Sequence, residues 1–308
     1  MTGARAAPPD FAIVGAPKCG TTALYSYLAT HPGIAMAARK EPGFWCTDAE
    51  APWRVTDRAA YDALWAGAAP GAVRGEATPV YLQSAVAIPR LLAARPDARL
   101  IAMIRNPLEM AASRHADLLF GPNEDVAEFE AAWRLQERRR NGEDLPPGCR
   151  EPAVLQYLAN AAIGDQLERF VALVPPAQRL VIVYDDLRRD PGGEYRRVLE
   201  WLGLPDDGRG DFAPVHARRA LRWAGLAGWQ RALARRVGWL YRPARALAHA
   251  AGISPAALNV RPAPRRPLRA EFEAELIAAF APQVDKAARL LGRDLAAWRT
   301  PASTIRSR

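Results

Sequence analysis

Several residue types are scarce in this 308-residue chain. Cysteine occurs three times, at Cys19, Cys46 and Cys149. Three scattered thiols make no disulfide framework and no Cys-x-x-Cys pair, so a reducing cytoplasm is the expected setting. Histidine occurs four times, at His31, His115, His216 and His249, without the spacing of a metal site, and no metal is expected. No run of eighteen or more apolar residues exists that would cross a bilayer. The first apolar run, Phe11 to Ala16, is too short for a secretory signal and leads directly into a charged motif. Internal repeats and low-complexity tracts are missing as well.

What is present suits a folded α/β protein. Half of the residues are hydrophobic and 24% are charged, too apolar a balance for a disordered chain. The formal net charge is +9, which favours anionic partners: nucleic acid, anionic lipid, or a phosphorylated or sulfated small molecule. Arginine supplies nearly all of it; lysine occurs only at Lys18, Lys40 and Lys286. A lysine kept where arginine is the rule offers a compact point charge on a flexible stem, suited to a single oxygen in a tight loop.

Three continuous apolar runs, Phe11 to Gly15, Arg99 to Ile104 and Arg179 to Tyr184, are each followed by a polar turn and a helix-like segment. This alternation predicts a parallel sheet with helices on both faces, and such sheets bind ligands beyond the carboxyl ends of their strands. The runs end beside Lys18, Arg105 and Tyr184. Thr22 to Thr30 is predicted helical, as are Ala131 to Arg140 and a helix pair over Glu271 to Trp298. Leu226, Trp229, Leu233, Val237 and Leu240 share one helical face, with arginines off it. The expected organisation is a tail over 1–9, one domain over 10–298 with a basic, variable lid or acceptor region over 206–269, and a tail over 299–308.

The strongest local signal is Gly15-Ala-Pro-Lys-Cys-Gly-Thr-Thr22, set between a strand and a helix. The glycine spacing is that of a Walker loop, but Thr21 stands where the Walker lysine would be, and the lysine lies inside the loop at Lys18. Backbone N–H groups, a helix start and two hydroxyls still make an anion site. The displaced lysine argues against an ordinary kinase or NTPase, and the absence of G-x-G-x-x-G argues against a dinucleotide fold.

On these residues the chain resembles the sulfotransferases that use 3′-phosphoadenosine 5′-phosphosulfate (PAPS), in particular bacterial members related to the heparan sulfate type. Pro17-Lys18-Cys19-Gly20-Thr21-Thr22 resembles their 5′-phosphosulfate loop. Arg105-Asn-Pro-Leu-Glu-Met-Ala-Ala-Ser113 resembles their 3′-phosphate motif, in which an arginine and a serine eight residues on hold one phosphate. Lys40-Glu41-Pro42-Gly43-Phe44, Gly75-Glu76-Ala77-Thr78-Pro79-Val80-Tyr81, Tyr184-Asp185-Asp186-Leu187 and Leu290 to Trp298 resemble further family segments. Two departures stand out: Ala77 replaces a lysine of the heparan-type enzymes, and the glycine-rich 3′-phosphate loop is not recognisable, its place falling to His216-Ala-Arg218-Arg219.

The resemblance implies a P-loop-like α/β fold and transfer of a sulfuryl group from PAPS to a hydroxyl of a small acceptor, a secondary metabolite or carbohydrate, with PAP (the desulfated nucleotide) as product and no metal. It implies Lys18 and Glu41 as the chemical residues, and Pro17 through Thr22, Arg105, Ser113, Tyr184, Arg218 and Arg219 around the nucleotide. Lys40 and Glu76 fall on the acceptor side. Glu41 is expected to be buried, which would raise its pKa toward useful base strength. Glu76 and then His115 are the other candidate bases. Tyr184, Trp45 and Trp223 are aromatics free to pack on adenine or acceptor. Two readings of other classes stand beside this one: a P-loop nucleotide kinase, and a basic nucleic-acid-binding protein, against which no zinc spacing, RNP-like motif or helix-turn-helix is found. Residues 226–242 also suit a membrane surface, the weaker reading of that stretch. Acceptor specificity is expected in loops 45–75, 118–152 and 206–265.

Overall fold

A computed structural model describes residues 8–49, 51, 53–121, 123–213, 219–221, 260–262 and 267–301. Five parallel strands form the main sheet: β1 (Phe11–Gly15), β2 (Ile34–Met36), β3 (Val73–Ala77), β4 (Arg99–Ile104) and β5 (Arg179–Val183), in the order β2-β3-β1-β4-β5. The parallel, helix-flanked architecture expected from the alternating runs is present. β1 is buried at all five positions, as a central parallel strand covered on both faces must be. The chain leaves β1 toward β2 and β3 on one side and later reaches β4 on the other. Strand direction of travel therefore switches between β1 and β4, where doubly wound sheets open a crevice.

Two strands escaped the sequence reading. β2 has three residues, too few for a periodic signal. β3 reads Val-Arg-Gly-Glu-Ala, with two charged residues in five. Its glycine is required by packing: a Cβ at Gly75 would lie 2.3 Å from the Phe11 ring. The helices also differ from expectation. Residues expected as one charged helix form α5 (Phe129–Arg134) and α6 (Gln136–Arg140), broken at Leu135. The expected helix pair at the end is one helix, here α11 (Ala270–Leu291), followed by a 3-10 turn over Ala296–Arg299. α11 buries Phe272, Leu276, Phe280, Val284 and Ala287 along one stripe, and each large side chain so buried contributes about 1.5–3 kcal/mol. It packs on α8 (Ile163–Leu173), where a Cβ at Gly164 would meet the Gln283 carbonyl oxygen at 2.6 Å. Lys286 joins the same contact through Asp165 and Glu168, both at 2.7 Å, so this third lysine holds two helices together.

The chain divides into two compact units. One comprises Met1–Ser113, Tyr157–Val215 and Ala270–Arg308 and contains the whole parallel sheet; the other comprises Arg114–Gln156 and His216–Arg269. In the second unit the antiparallel pair β6 (Arg219–Leu221) and β7 (Val260–Pro262) lies within the basic stretch. That unit also holds a fully buried ion pair. Arg139 grips both oxygens of Glu124 at 2.7 and 2.8 Å, and Glu124 accepts in turn from the backbone N–H groups of Asp125 and Val126.

Candidate functional site

The loop after β1 is built around two left-handed residues. Gly20 has φ 88° and caps α1 (Thr21–Leu28); a Cβ there would lie 2.9 Å from the Tyr184 ring. Lys18 has φ 66° without being a glycine. Such a backbone costs a non-glycine residue about 1–2 kcal/mol, and strain of this sort collects at functional sites. Among the described residues, non-glycine positive φ occurs at Lys18, Glu41 and Asp144. Two of those three are the residues expected to carry chemistry. No side chain caps the start of α1 and no acidic residue lies in its first turn, so its positive end is left for an anion. Thr21 is buried and Thr22 half-buried there.

Arg105 follows directly after β4, on the other side of the switch point from β1. It is buried, and its Nη1 donates to the Lys18 carbonyl oxygen at 3.1 Å. Its Nε donates to Glu109 at 3.0 Å, one turn into α4 (Pro107–Leu118), and its guanidinium lies 4.5 Å over the ring of Tyr184. Tyr184 opens α9 (Tyr184–Arg189) directly after β5. The ends of β1, β4 and β5 thus bring Lys18, Gly20, Arg105 and Tyr184 into one contiguous group. Ser113 stands two turns along α4, half-buried. Pro17 and Cys19 are buried beneath the loop. Burial pushes the Cys19 thiol up to about 12 despite the nearby charges of Arg105 and Lys18, so this cysteine is an inert packing group. The three cysteines are free.

The second cluster lies at the carboxyl end of β3. Glu41 is exposed, at φ 60°, with its backbone N–H donating to the Ala77 carbonyl oxygen at 2.9 Å. Its carboxylate makes an ion pair with Lys40. The buried Glu41 expected from the resemblance is therefore not what folds; the buried carboxylate is Glu76, at 0% exposure. Loss of water pushes the Glu76 pKa up to about 7, against the opposing hydroxyls of Tyr61 and Tyr81. Tyr61 donates to Glu76 Oε2 at 2.6 Å, while Oε1 has no hydrogen-bond partner. Trp45, unassigned by sequence, is buried beside them. Nothing in the one-dimensional pattern marked Tyr61 as a partner of Glu76; only the pairing of β3 with its neighbours brings α2 (Arg58–Asp62) over that strand.

His115 is buried, with Nε2 at 2.9 Å from the Val126 carbonyl oxygen, and burial lowers its pKa. These contacts make it a packed structural residue. Arg219 begins β6. Arg218, Trp223, His216, His249 and the stretch 226–242 lie outside the described residues. Among the described residues no group of three His, Cys, Asp or Glu is placed to hold a metal ion, and no helix is long and apolar enough to cross a membrane.

A family model described as "Sulfotransferase domain" matches residues 8–212. The chain is 31% identical to the Homo sapiens protein named heparan sulfate glucosamine 3-O-sulfotransferase 6 over 198 residues, 64% of this chain and 52% of that one. It is 29% identical to the Mus musculus heparan sulfate glucosamine 3-O-sulfotransferase 3B1 over 196 residues, 64% of this chain and 46% of that one. The chain spans about half the length of these curated relatives. The crystal structure of a sulfotransferase from Alicyclobacillus acidocaldarius superposes with a TM-score of 0.71 at 25% identity, covering 96% of this chain and 100% of that one.

Proposed function

The chain belongs to the sulfotransferase family, and from that premise we propose that it moves a sulfuryl group from PAPS to a hydroxyl of a small-molecule acceptor, a secondary metabolite or a carbohydrate, and releases PAP. The observation that carries this reading is the Lys18 loop, strained and open at the helix start, in direct contact with Arg105 and Tyr184 at the switch point of the sheet. A diphosphorylated adenosine needs positive charge at two separated points, and Lys18 and Arg105 supply them.

The reaction forms a bond from the acceptor oxygen to sulfur and breaks the bond from sulfur to the 5′-phosphate oxygen, with the three atoms in line. Negative charge grows on the departing phosphate. In this reading Lys18 and the N–H groups at the start of α1 stabilise that oxygen, with the Thr21 and Thr22 hydroxyls as further donors. Arg105 and Ser113 hold the 3′-phosphate, the guanidinium already oriented by Glu109 and Tyr184. Glu41 takes the acceptor proton; as an exposed carboxylate at the carboxyl end of β3 it is open to a hydroxyl, which the enclosed Glu76 is not. Lys40 is assigned to the sulfuryl oxygens. Three free thiols support action in a reducing compartment.

The test joins nucleotide titration with a mass-spectrometric screen of hydroxyl acceptors for the gain of one sulfuryl group. Lys18→Ala is expected to lose about 10²–10³ in kcat, as for one preorganised donor, and Glu41→Gln about 10²–10⁴, as for a general base. Preference for ATP over PAP would give the site to a kinase instead, and full activity of Glu41→Gln would move the base elsewhere.

A further inference from the structure

Glu76 is costly and has no place in the transfer chemistry described above. A carboxyl at 0% exposure with one oxygen unpartnered carries a desolvation cost that an apolar side chain would not. What it touches suggests why an acid stands there. Tyr61 donates its O–H to Glu76 Oε2 at 2.6 Å, and the same phenolic oxygen accepts from the indole N–H of Trp45 at 2.9 Å. Tyr81, the other hydroxyl acting on the Glu76 carboxyl, accepts from the backbone N–H of Trp45 at 3.4 Å. Both N–H groups of Trp45 therefore end on tyrosines that face Glu76. Phe44 stacks on the Tyr61 ring with centroids 4.3 Å apart, and Trp45 meets the same ring edge-on at 5.7 Å.

The two residues after Glu76 hold the same loop at two further points. The Ala77 carbonyl oxygen accepts from Glu41 N at 2.9 Å, and Thr78 Oγ1 accepts from Gly43 N at 3.3 Å. Residues 76–78 thus fasten segment 41–45 directly and, through the tyrosines, indirectly. Glu41 sits at the front of that segment in a left-handed conformation that relaxes unless its surroundings hold it. Without the carboxyl, the Tyr61 hydroxyl keeps an acceptor role toward Trp45 but loses the acceptor for its own proton, and the register of the chain is broken at its root.

We infer that Glu76 is a positioning residue, which sets segment 41–45 and with it Glu41 through the Tyr61 hydroxyl and Trp45, without touching acceptor or nucleotide. This rests on the reading of Glu41 as the base. Glu76→Leu separates the role from mere packing, because leucine removes the buried acid while filling its space. The expected result is a folded protein with PAP affinity within about twofold of wild type, kcat lower by about 10–100-fold, and an altered near-ultraviolet circular dichroism band from the Trp45–Tyr61 cluster. Glu76→Gln, whose carbonyl oxygen still accepts from Tyr61, is expected to recover most of kcat. Should Glu76→Leu fail to fold, Tyr61→Phe breaks the same link and is expected to show the same loss of kcat and the same spectral change. Wild-type kcat in the folded Leu variant, or in Tyr61→Phe, overturns the inference. So does an unchanged aromatic band, a readout that needs no turnover. Failure of the wild type to bind PAP would instead refute the transfer reading, and the spectral arm would still decide this one.

Discussion

Glu76 also makes the fold sensitive to pH, in a direction opposite to that of most carboxylates. Its pKa rises from 4.5 in the open chain to about 7 in the folded protein, because burial penalises the charged form. The folded state therefore keeps a proton that the unfolded state has released, and stability falls with rising pH wherever the two differ. The contribution is whole below about pH 4.5 and lost once the pH passes about 7. At about 1.4 kcal/mol per pKa unit the difference comes to about 3 kcal/mol, a sizeable share of the 5–15 kcal/mol that typically holds a domain together. Glu76→Gln abolishes the titration while keeping shape and an acceptor for Tyr61. Urea unfolding midpoints of both proteins at half-unit steps from pH 4.5 to 8 measure the effect. Asp165 and Asp186, whose pKa values their Lys286 and Arg293 partners lower, and His115, whose pKa burial lowers, titrate in both proteins and cancel in the difference. The stability of the glutamate protein relative to the glutamine variant is expected to drop by about 3 kcal/mol across that range. Parallel curves would refute the assignment of the buried charge.

Further outcomes follow from the same physics. Lys18→Gly relieves the left-handed strain that Lys18→Ala retains, so the glycine variant is expected to melt higher than the alanine variant by the equivalent of about 1 kcal/mol, while both lose turnover. Arg139→Met leaves Glu124 charged and buried and is expected to cost about 3–5 kcal/mol in denaturant unfolding; adding Glu124→Leu should return most of it. Trp298 donates through Nε1 to Asp185 at 2.7 Å and accepts from Asn106 at 3.3 Å, which ties the residues next to Tyr184 and Arg105. Trp298→Phe is expected to cost about 1.5–3 kcal/mol of stability and to weaken PAP binding measured by calorimetry.

The framework of this site was readable in one dimension because its signals are local. β1, β4 and β5 are continuous apolar runs, and the residues that end them, Lys18, Arg105 and Tyr184, lie where a switch-point crevice requires. The strand carrying Glu76 was not readable. Arg74, Gly75 and Glu76 look like a surface turn until Phe11 is seen to lie over Gly75 and Tyr61 over Glu76. Such contacts join residues far apart in the chain, and hydrophobic periodicity carries no trace of them. The same holds for the stack of Arg105 on Tyr184 and the tie of Trp298 to Asp185. The exposure of Glu41 went unread for a related reason: its Lys40 neighbour suits a solvated pair and a buried pair equally well.

Lys18, the start of α1, Arg105 and Tyr184 form one contiguous group, and the proposed function requires that group to bind the nucleotide. Calorimetric titration of the purified protein with PAP tests it most directly. Saturable binding at one nucleotide per chain is expected, weakened by at least about tenfold in Lys18→Ala and in Arg105→Met, as for loss of a charged contact. Absence of binding at millimolar PAP, or equal affinity in all three proteins, would contradict it.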